Sequence, residues 1–266
     1  MTAPIPILTL TTDFGSKDGF VGTLKGVIWG ICPSAQIADI SHEISPQNVL
    51  AAAFAIWRAY PFFPEGTIHV AVVDPGVGTQ RRPIAACLGA HTFVGPDNGL
   101  VTPMLEDAEK KNWGLEIVHL TNEKYFLSDV SRTFHGRDIF APVAAHLANG
   151  VLLADLGPAI TGLVRLSMPK PEKTADGWHA HITVIDVFGN CTTDLPAASL
   201  VERAKIVFRL RGHEVRGLVA SYGLKQPGQL VALVDSEKFV EIAVVNGSAS
   251  DTLGALVGDM VEVVIT

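Results

Sequence analysis

Val72-Val73-Asp74-Pro75-Gly76-Val77-Gly78-Thr79-Gln80-Arg81 decides how this chain is read: a β-branched run delivers a carboxylate into a glycine-rich turn, and an arginine follows. Open α/β sheets bind ligands just beyond the carboxyl ends of their strands, where such turns let backbone and side chains approach a small molecule. The layout recurs. Leu8-Thr9-Leu10-Thr11-Thr12 runs into Asp13-Phe14-Gly15, and Thr92-Phe93-Val94 runs into Gly95-Pro96-Asp97-Asn98-Gly99. Strand-like segments that each end in an aspartate beside glycine predict a shared acidic crevice.

Outward from these turns, Phe20, Leu24, Val27, Ile28 and Ile31 repeat at helical spacing after the N-cap candidates Ser16 and Asp18, and Pro33 supplies the stop. Ser45-Pro46 predicts a second helix start, cap then first-turn proline, carried by the apolar run from Val49 to Trp57 and ended by Pro61. A third helix is expected from about Ala141 to Asn149, with Gly150 as its terminator. The first half therefore alternates α with β, an α/β fold with a mainly parallel sheet over residues 1–168. Residues 169–178 are polar, proline-bearing and without periodicity, the expected linker. Over residues 179–266, His181 to Ile185, Lys205 to Leu210, Leu230 to Val234, Phe239 to Val244 and Met260 to Ile265 read as strands with short connections. That pattern predicts an all-β domain, a small barrel or sandwich.

Of the 266 residues, 48% are hydrophobic and only 18% charged, against roughly 25% charged in an ordinary soluble domain, so much surface is expected to be buried, some of it between subunits. A formal net charge of −7 without a lysine-arginine block argues against nucleic acid, which is bound mainly by neutralising phosphates. The apolar run from Val49 to Trp57 is far short of the ~18–20 residues a membrane helix needs. The N-terminal Met1-Thr2-Ala3-Pro4-Ile5-Pro6 lacks a basic region followed by an apolar core, so the protein is read as cytoplasmic. Cys32, Cys87 and Cys191 are odd in number and outside any CxxC pair, which fits reduced thiols.

The chemistry-bearing candidates are Asp13, Asp74, Arg81 and Asp97, with Ser131-Arg132-Thr133-Phe134-His135-Gly136-Arg137-Asp138, where a histidine lies between two arginines. In the second half, Asp186-Val187-Phe188-Gly189-Asn190 repeats the strand, acid and glycine turn, now with a carboxamide. Each has a plain structural alternative. Asp97 can simply cap its own turn, His135 can be a hydrogen-bonded structural histidine, and Arg81 with Arg82 can be a solvated surface pair. A metal phosphoesterase would draw its ligands from Asp13, Asp74, Asp97, His135 and Asp138, but no two histidines stand at a recognised ligand spacing. Neither GxGxxG, a P-loop nor a GxSxG elbow occurs.

Taken together, Thr12-Asp13-Phe14-Gly15, Asp74-Pro75-Gly76-Val77-Gly78, Gly95-Pro96-Asp97-Asn98-Gly99, Thr133-Phe134-His135-Gly136-Arg137-Asp138 and Phe188-Gly189-Asn190 resemble the S-adenosyl-L-methionine hydroxide adenosyltransferase family, hydrolase relatives of the fluorinating and chlorinating enzymes. The resemblance spans essentially the whole chain in the right order. It implies a C-terminal β-barrel, a homotrimer with active sites between domains of neighbouring subunits, and hydrolysis of S-adenosylmethionine to adenosine and L-methionine without metal or organic cofactor. By position, Asp74, Arg81 and His135 match the Asp-Arg-His set that places the attacking water, and the halogenating relatives depart from the Arg and His positions. Asp13 matches the residue that grips the ribose diol. Asp186 and Asn190 match the second-domain contribution to the amino-acid and adenine ends, Tyr222 the aromatic neighbour of adenine, and Ser236 and Glu241 a methionine-binding stretch. Two alternatives stay open: transfer of halide in place of water, and a non-catalytic adenosine or S-adenosylmethionine sensor.

Overall fold

A computed structural model describes residues 5–200 and 205–265. Met1-Thr2-Ala3-Pro4, most of the N-terminal stretch that lacks a targeting pattern, lie outside the described residues. The chain divides into two compact units, Met1–Leu166 and Ser167–Thr266.

In the first unit the elements are β1 (Ile7–Thr12), α1 (Phe20–Ile31), β2 (Gln36–Ser41), α2 (Val49–Ala59), β3 (Ile68–Val72), β4 (Pro83–Leu88), β5 (His91–Pro96), α3 (Thr102–Lys110), β6 (Leu115–His119) and α4 (Ala141–Ala148). The strands form one sheet in the order β2-β1-β3-β5-β4-β6. Where the sequence suggests a mainly parallel sheet, the sheet is mixed. β2, β1, β3 and β5 run parallel, whereas β4 is antiparallel to both β5 and β6. The cause is local: Gly89-Ala90 joins β4 to β5 as a two-residue hairpin, and Gly89 takes the positive φ of 64° that such a turn needs.

Side chains alternate across the sheet, so each face has its own core. Leu8, Leu10, Val70, Val72 and Val94 pack with Leu24 and Ile28 of α1 and Val143 and Ala144 of α4. Ala71, Val73, Ile84, Ala86 and Phe93 pack with Ala52 and Ile56 of α2 and Met104 and Leu105 of α3. The helix that follows β1 thus covers one face and the helix that follows β2 covers the other, while β2 and β3 flank β1 on opposite sides. The carboxyl ends of β1 and β3 therefore bound a topological switch point, the position where open α/β sheets leave a crevice.

The helix starts differ from the sequence reading. α2 begins at Val49, not at Ser45-Pro46; Asn48 caps it, its Oδ1 accepting the Ala51 N–H at 3.0 Å, and Gln47 turns to a φ of 64°. α1 begins after Gly19 rather than from a Ser16 or Asp18 cap. α4 matches its expected span within a residue, but a π-helical turn, Gly136–Phe140, leads into it.

Where β1, β3 and β5 start, the sheet also buries a polar chain: Thr9 Oγ1 lies 2.8 Å from His69 Nδ1, and His69 Nε2 lies 3.2 Å from His91 Nδ1. Burial, with His91 alongside, pushes His69 down to about 3. An unfolded histidine titrates near 6.5, so below that pH the unfolded chain binds the proton first and stability falls until the folded pKa is reached. From His69 alone, roughly 2–3 kcal/mol is expected to be lost between pH 6.5 and pH 4.5. Urea midpoints measured across that range should fall more steeply for the wild type than for a His69→Gln variant; equal slopes would show that His69 is not the group responsible.

The second unit contains β7 (Glu172–Lys173), β8 (Gly177–Ile185), β9 (Cys191–Pro196), β10 (Ile206–Leu210), β11 (His213–Arg216), β12 (Leu230–Val234), β13 (Phe239–Val244), α5 (Ala249–Leu253) and β14 (Met260–Ile265). Every pairing among these strands is antiparallel, in the order β11-β10-β14-β8-β9-β13-β12, with β7 added on β8. The end strands approach each other, and the Val219 N–H donates to the Ala232 carbonyl at 2.9 Å, so the sheet nearly closes into a barrel around Ile182, Phe208, Val240, Ile242, Val261 and Val263. Segment 169–178 holds β7 and the first residues of β8.

Candidate active site

Thr12 pairs with Val72 in the β1–β3 register, so the turns that leave these strands place Asp13 and Asp74 on one cleft. The cleft has a volume of about 270 Å³, and its lining includes Asp13, Gln47, Asp74, Phe134 and His135. Phe14, Phe20 and Phe134 meet edge to face, with ring centroids 5.3 to 6.0 Å apart, and Phe14 and Phe134 give the cleft an aromatic wall.

Gly78 explains how Arg81 returns to Asp74. Its φ is 73°, and a Cβ there would stand 2.3 Å from the Arg132 carbonyl, so only glycine lets this turn lie against the loop that carries His135. Arg81 then meets Asp74 in a two-point pair: Nε donates to Oδ1 at 3.0 Å and Nη2 donates to Oδ2. The pair is almost fully buried, with side-chain exposures of 8% and 4%. Nη2 also lies 2.9 Å from His135 Nδ1. Guanidinium nitrogens only donate, so Nδ1 accepts and the neutral imidazole carries its proton on Nε2. Burial, reinforced by the adjacent Arg81 charge, lowers the His135 pKa and keeps the ring neutral at pH 7. Arg81 Nη1 is buried without a hydrogen-bond partner among the described residues, a donor in need of an acceptor.

Asp13 has one oxygen, Oδ2, engaged by the Gln47 backbone N–H at 2.8 Å. Gln47 is a cleft residue that the sequence reading missed. A left-handed non-glycine residue has no sequence signature, and Ser45-Pro46 beside it resembles a helix start.

Asp97 does not join this crevice, which corrects the expectation of an acidic site fed by all these strand ends. It lies one strand beyond the switch point, buried, with Arg82 donating to Oδ2 through Nε at 2.8 Å and the Val164 N–H donating to Oδ1 at 2.9 Å. Asp138 is structural as well. It accepts from the Ser131 N–H at 2.9 Å, the Ser131 hydroxyl at 2.7 Å and Arg137 Nε at 2.6 Å, which closes the loop that presents His135.

In the second unit, a cleft of about 550 Å³ is lined by Asp186, Phe188, Asn190, Tyr222, Asn246 and Gly247, among others. Asp186 Oδ1 accepts the backbone N–H of Phe188 and of Asn190, each at 2.9 Å, and Oδ2 accepts Asn190 Nδ2 at 2.9 Å. The aspartate is therefore the frame of its turn as well as a lining group. Gly189 permits that turn: its φ is 79°, and a Cβ would stand 2.1 Å from Ser248 Oγ. Glu241 is buried beside this cleft, where the Tyr222 hydroxyl donates to Oε1 at 2.6 Å and the Thr192 hydroxyl to Oε2 at 3.4 Å. Burial raises the Glu241 pKa, and the Tyr222 hydrogen bond pulls the other way. Ser236 is exposed in the β12–β13 turn and is not among the residues lining the cleft.

Sequence models of the SAM hydroxide adenosyltransferase N-terminal and C-terminal domains match residues 8–157 and 180–262. A protein of Salinispora tropica named (R)-S-adenosyl-L-methionine hydrolase is 43% identical over 264 residues, 98% of each chain. A protein of Actinoplanes sp. named fluorinase is 30% identical over 77% of this chain and 76% of its own. The crystal structure of an uncharacterized conserved protein from Thermotoga maritima superposes with a TM-score of 0.89 at 37% identity, over 97% of this chain and 99% of that one.

Proposed function

The chain belongs to the SAM hydroxide adenosyltransferase family, and from that premise we propose that it hydrolyses S-adenosyl-L-methionine to adenosine and L-methionine, water attacking the ribose C5′ carbon in line with the carbon–sulfur bond. Sulfonium leaves as a neutral thioether and takes the bonding electron pair, so no acid is required at the leaving group. The demanding step is to hold a weak nucleophile in line, and positioning of this kind supplies much of a catalytic barrier reduction.

The observation that carries this reading is Arg81, clamped by Asp74, with Nη1 buried and without a partner among the described residues and His135 at its edge. Arg81 and the Nε2–H of His135 donate to the lone pairs of water and favour hydroxide as it forms. His135 Nδ1 is already occupied by Arg81, which leaves the Asp74 carboxylate as the member of the set with lone pairs to take the proton. Asp13 accepts from the two ribose hydroxyls. Asp186, Asn190 and Tyr222 hold the adenine and amino-acid ends, with Glu241 hydrogen-bonded to Tyr222 and, together with Ser236, part of the methionine-binding stretch.

We further propose a cytoplasmic homotrimer in which the first unit of one subunit and the second unit of its neighbour complete each site. The low charge content supports this arrangement, as do the exposed Trp29 and Phe188. Halide transfer is the competing chemistry, given the fluorinase relative. Release of adenosine and methionine is expected at the same rate with and without added chloride. Exclusive formation of a 5′-halo-adenosine would overturn the reading, and tight binding without turnover would make the protein a sensor.

A further inference from the structure

Asp13 is the one group assigned to the ribose, and it sits in a half-buried turn that lines the cleft. What holds it is a second line of residues. The β1–β2 ladder slips by one residue, Leu10 opposing Asp39 and Thr11 opposing Ser41, a bulge that leaves Ile40 over and brings His42 beside Thr12. From there His42 grips the turn in two ways. Its Nδ1 lies 2.8 Å from Thr12 Oγ1, which in turn accepts the Phe14 N–H at 3.2 Å. Its backbone carbonyl accepts the Gly15 N–H at 2.8 Å. Residues 12, 14 and 15 are thus all tied to His42, directly or through Thr12, and Asp13 is bracketed between them.

The ring is itself held. His42 Nε2 lies 3.1 Å from Asp39 Oδ1, an approach too bent for a full hydrogen bond, and Asp39 Oδ2 accepts Lys25 Nζ at 2.6 Å. The imidazole is 10% exposed, and it does not line the cleft. Its hydrogen bonds to Thr12 and to the Gly15 N–H lead to the turn that presents a carboxylate.

We propose that His42, anchored by Asp39 and Lys25 and acting through Thr12, is a positioning residue that sets the Asp13 carboxylate for the ribose diol. The inference rests on the hydrolase reading above and adds a specificity determinant to it. Its signature is selective. Loss of His42 should loosen recognition of the diol without touching the water-activating set on the turn after β3 and the His135 loop.

The test compares S-adenosylmethionine with its 2′-deoxy analogue in wild type, His42→Ala, His42→Asn, Thr12→Val and the His42→Ala/Thr12→Val double variant. For His42→Ala the expected result is a KM raised about tenfold with kcat within about threefold, and a preference for the ribose substrate compressed by the same factor, as for loss of one coupled hydrogen-bond network. Asn can still reach Thr12 from the Nδ1 position, so His42→Asn should recover most of the preference. The double variant should be no worse than the single ones. Unchanged KM and unchanged ribose preference in folded His42→Ala and Thr12→Val would overturn the inference while leaving the hydrolase reading intact. A wild type that does not turn over S-adenosylmethionine would instead remove the reading beneath it.

Discussion

Replacing Arg81 by alanine is expected to lower kcat by about 10²–10³-fold while KM stays within a fewfold, the scale on which removal of one preorganised donor acts in a water-excluded site. The reason lies in how many functions meet on this side chain. Nε and Nη2 hold Asp74, Nη2 also fixes the tautomer of His135, and Nη1 is the donor left over. Alanine removes the donor, frees His135 to take the other tautomer and leaves Asp74 buried without its counter-charge. Arg81→Lys keeps the charge but loses the fork, so it should recover little of the rate. Steady-state kinetics on variants with wild-type circular dichroism checks this, and an alanine variant within threefold of wild-type kcat would remove Arg81 from the reaction.

For Asp13→Ala the expected defect is in binding. A carboxylate that accepts two hydroxyl donors contributes two charge-assisted hydrogen bonds, each ~1.5–3 kcal/mol, so KM should rise by about 100-fold or more. Discrimination against the 2′-deoxy analogue should vanish with it, because the site would no longer have a group that counts hydroxyls. Isothermal titration with adenosine gives the same answer without turnover. Adenosine affinity within threefold of wild type would show that another residue holds the ribose.

Much of this was legible in the chain because the informative residues are those whose chemistry is local. Val72 to Arg81 announced strand, acid, turn and arginine, and the fold keeps them as one unit. Leu230–Val234, Phe239–Val244 and Met260–Ile265 carry enough β-branched residues to show their bounds, and these are the bounds of β12, β13 and β14. β9 was hidden for the opposite reason. Thr192, Thr193 and Asp194 are polar and give no strand signal, yet all are buried, with the Thr193 hydroxyl donating to the Val240 carbonyl at 2.8 Å and Asp194 accepting the His181 N–H at 2.8 Å. β4 was hidden because Pro83-Ile84-Ala85-Ala86 has little strand propensity; its pairing with β5 and β6 supplies what its side chains do not.

At the site, the joining of Asp13 to Asp74 follows from strand order, which the sequence suggests only through the alternation of its elements. The exclusion of Asp97 could not be seen, because it depends on β5 lying one strand beyond the switch point and on Arg82 reaching back to pair with it. Gln47 and His42 escaped for a related reason. One contributes through an unusual backbone angle, and the other acts at second hand, and neither property is written in a residue's type.

The proposed reaction is attack at one carbon by one oxygen. Hydrolysis of S-adenosylmethionine in ¹⁸O-labelled water, with mass analysis of both products, tests it directly: the label is expected in the 5′-hydroxyl of adenosine and nowhere in methionine. Turnover that yields unlabelled adenosine, or that places the label in the amino-acid product, would contradict it.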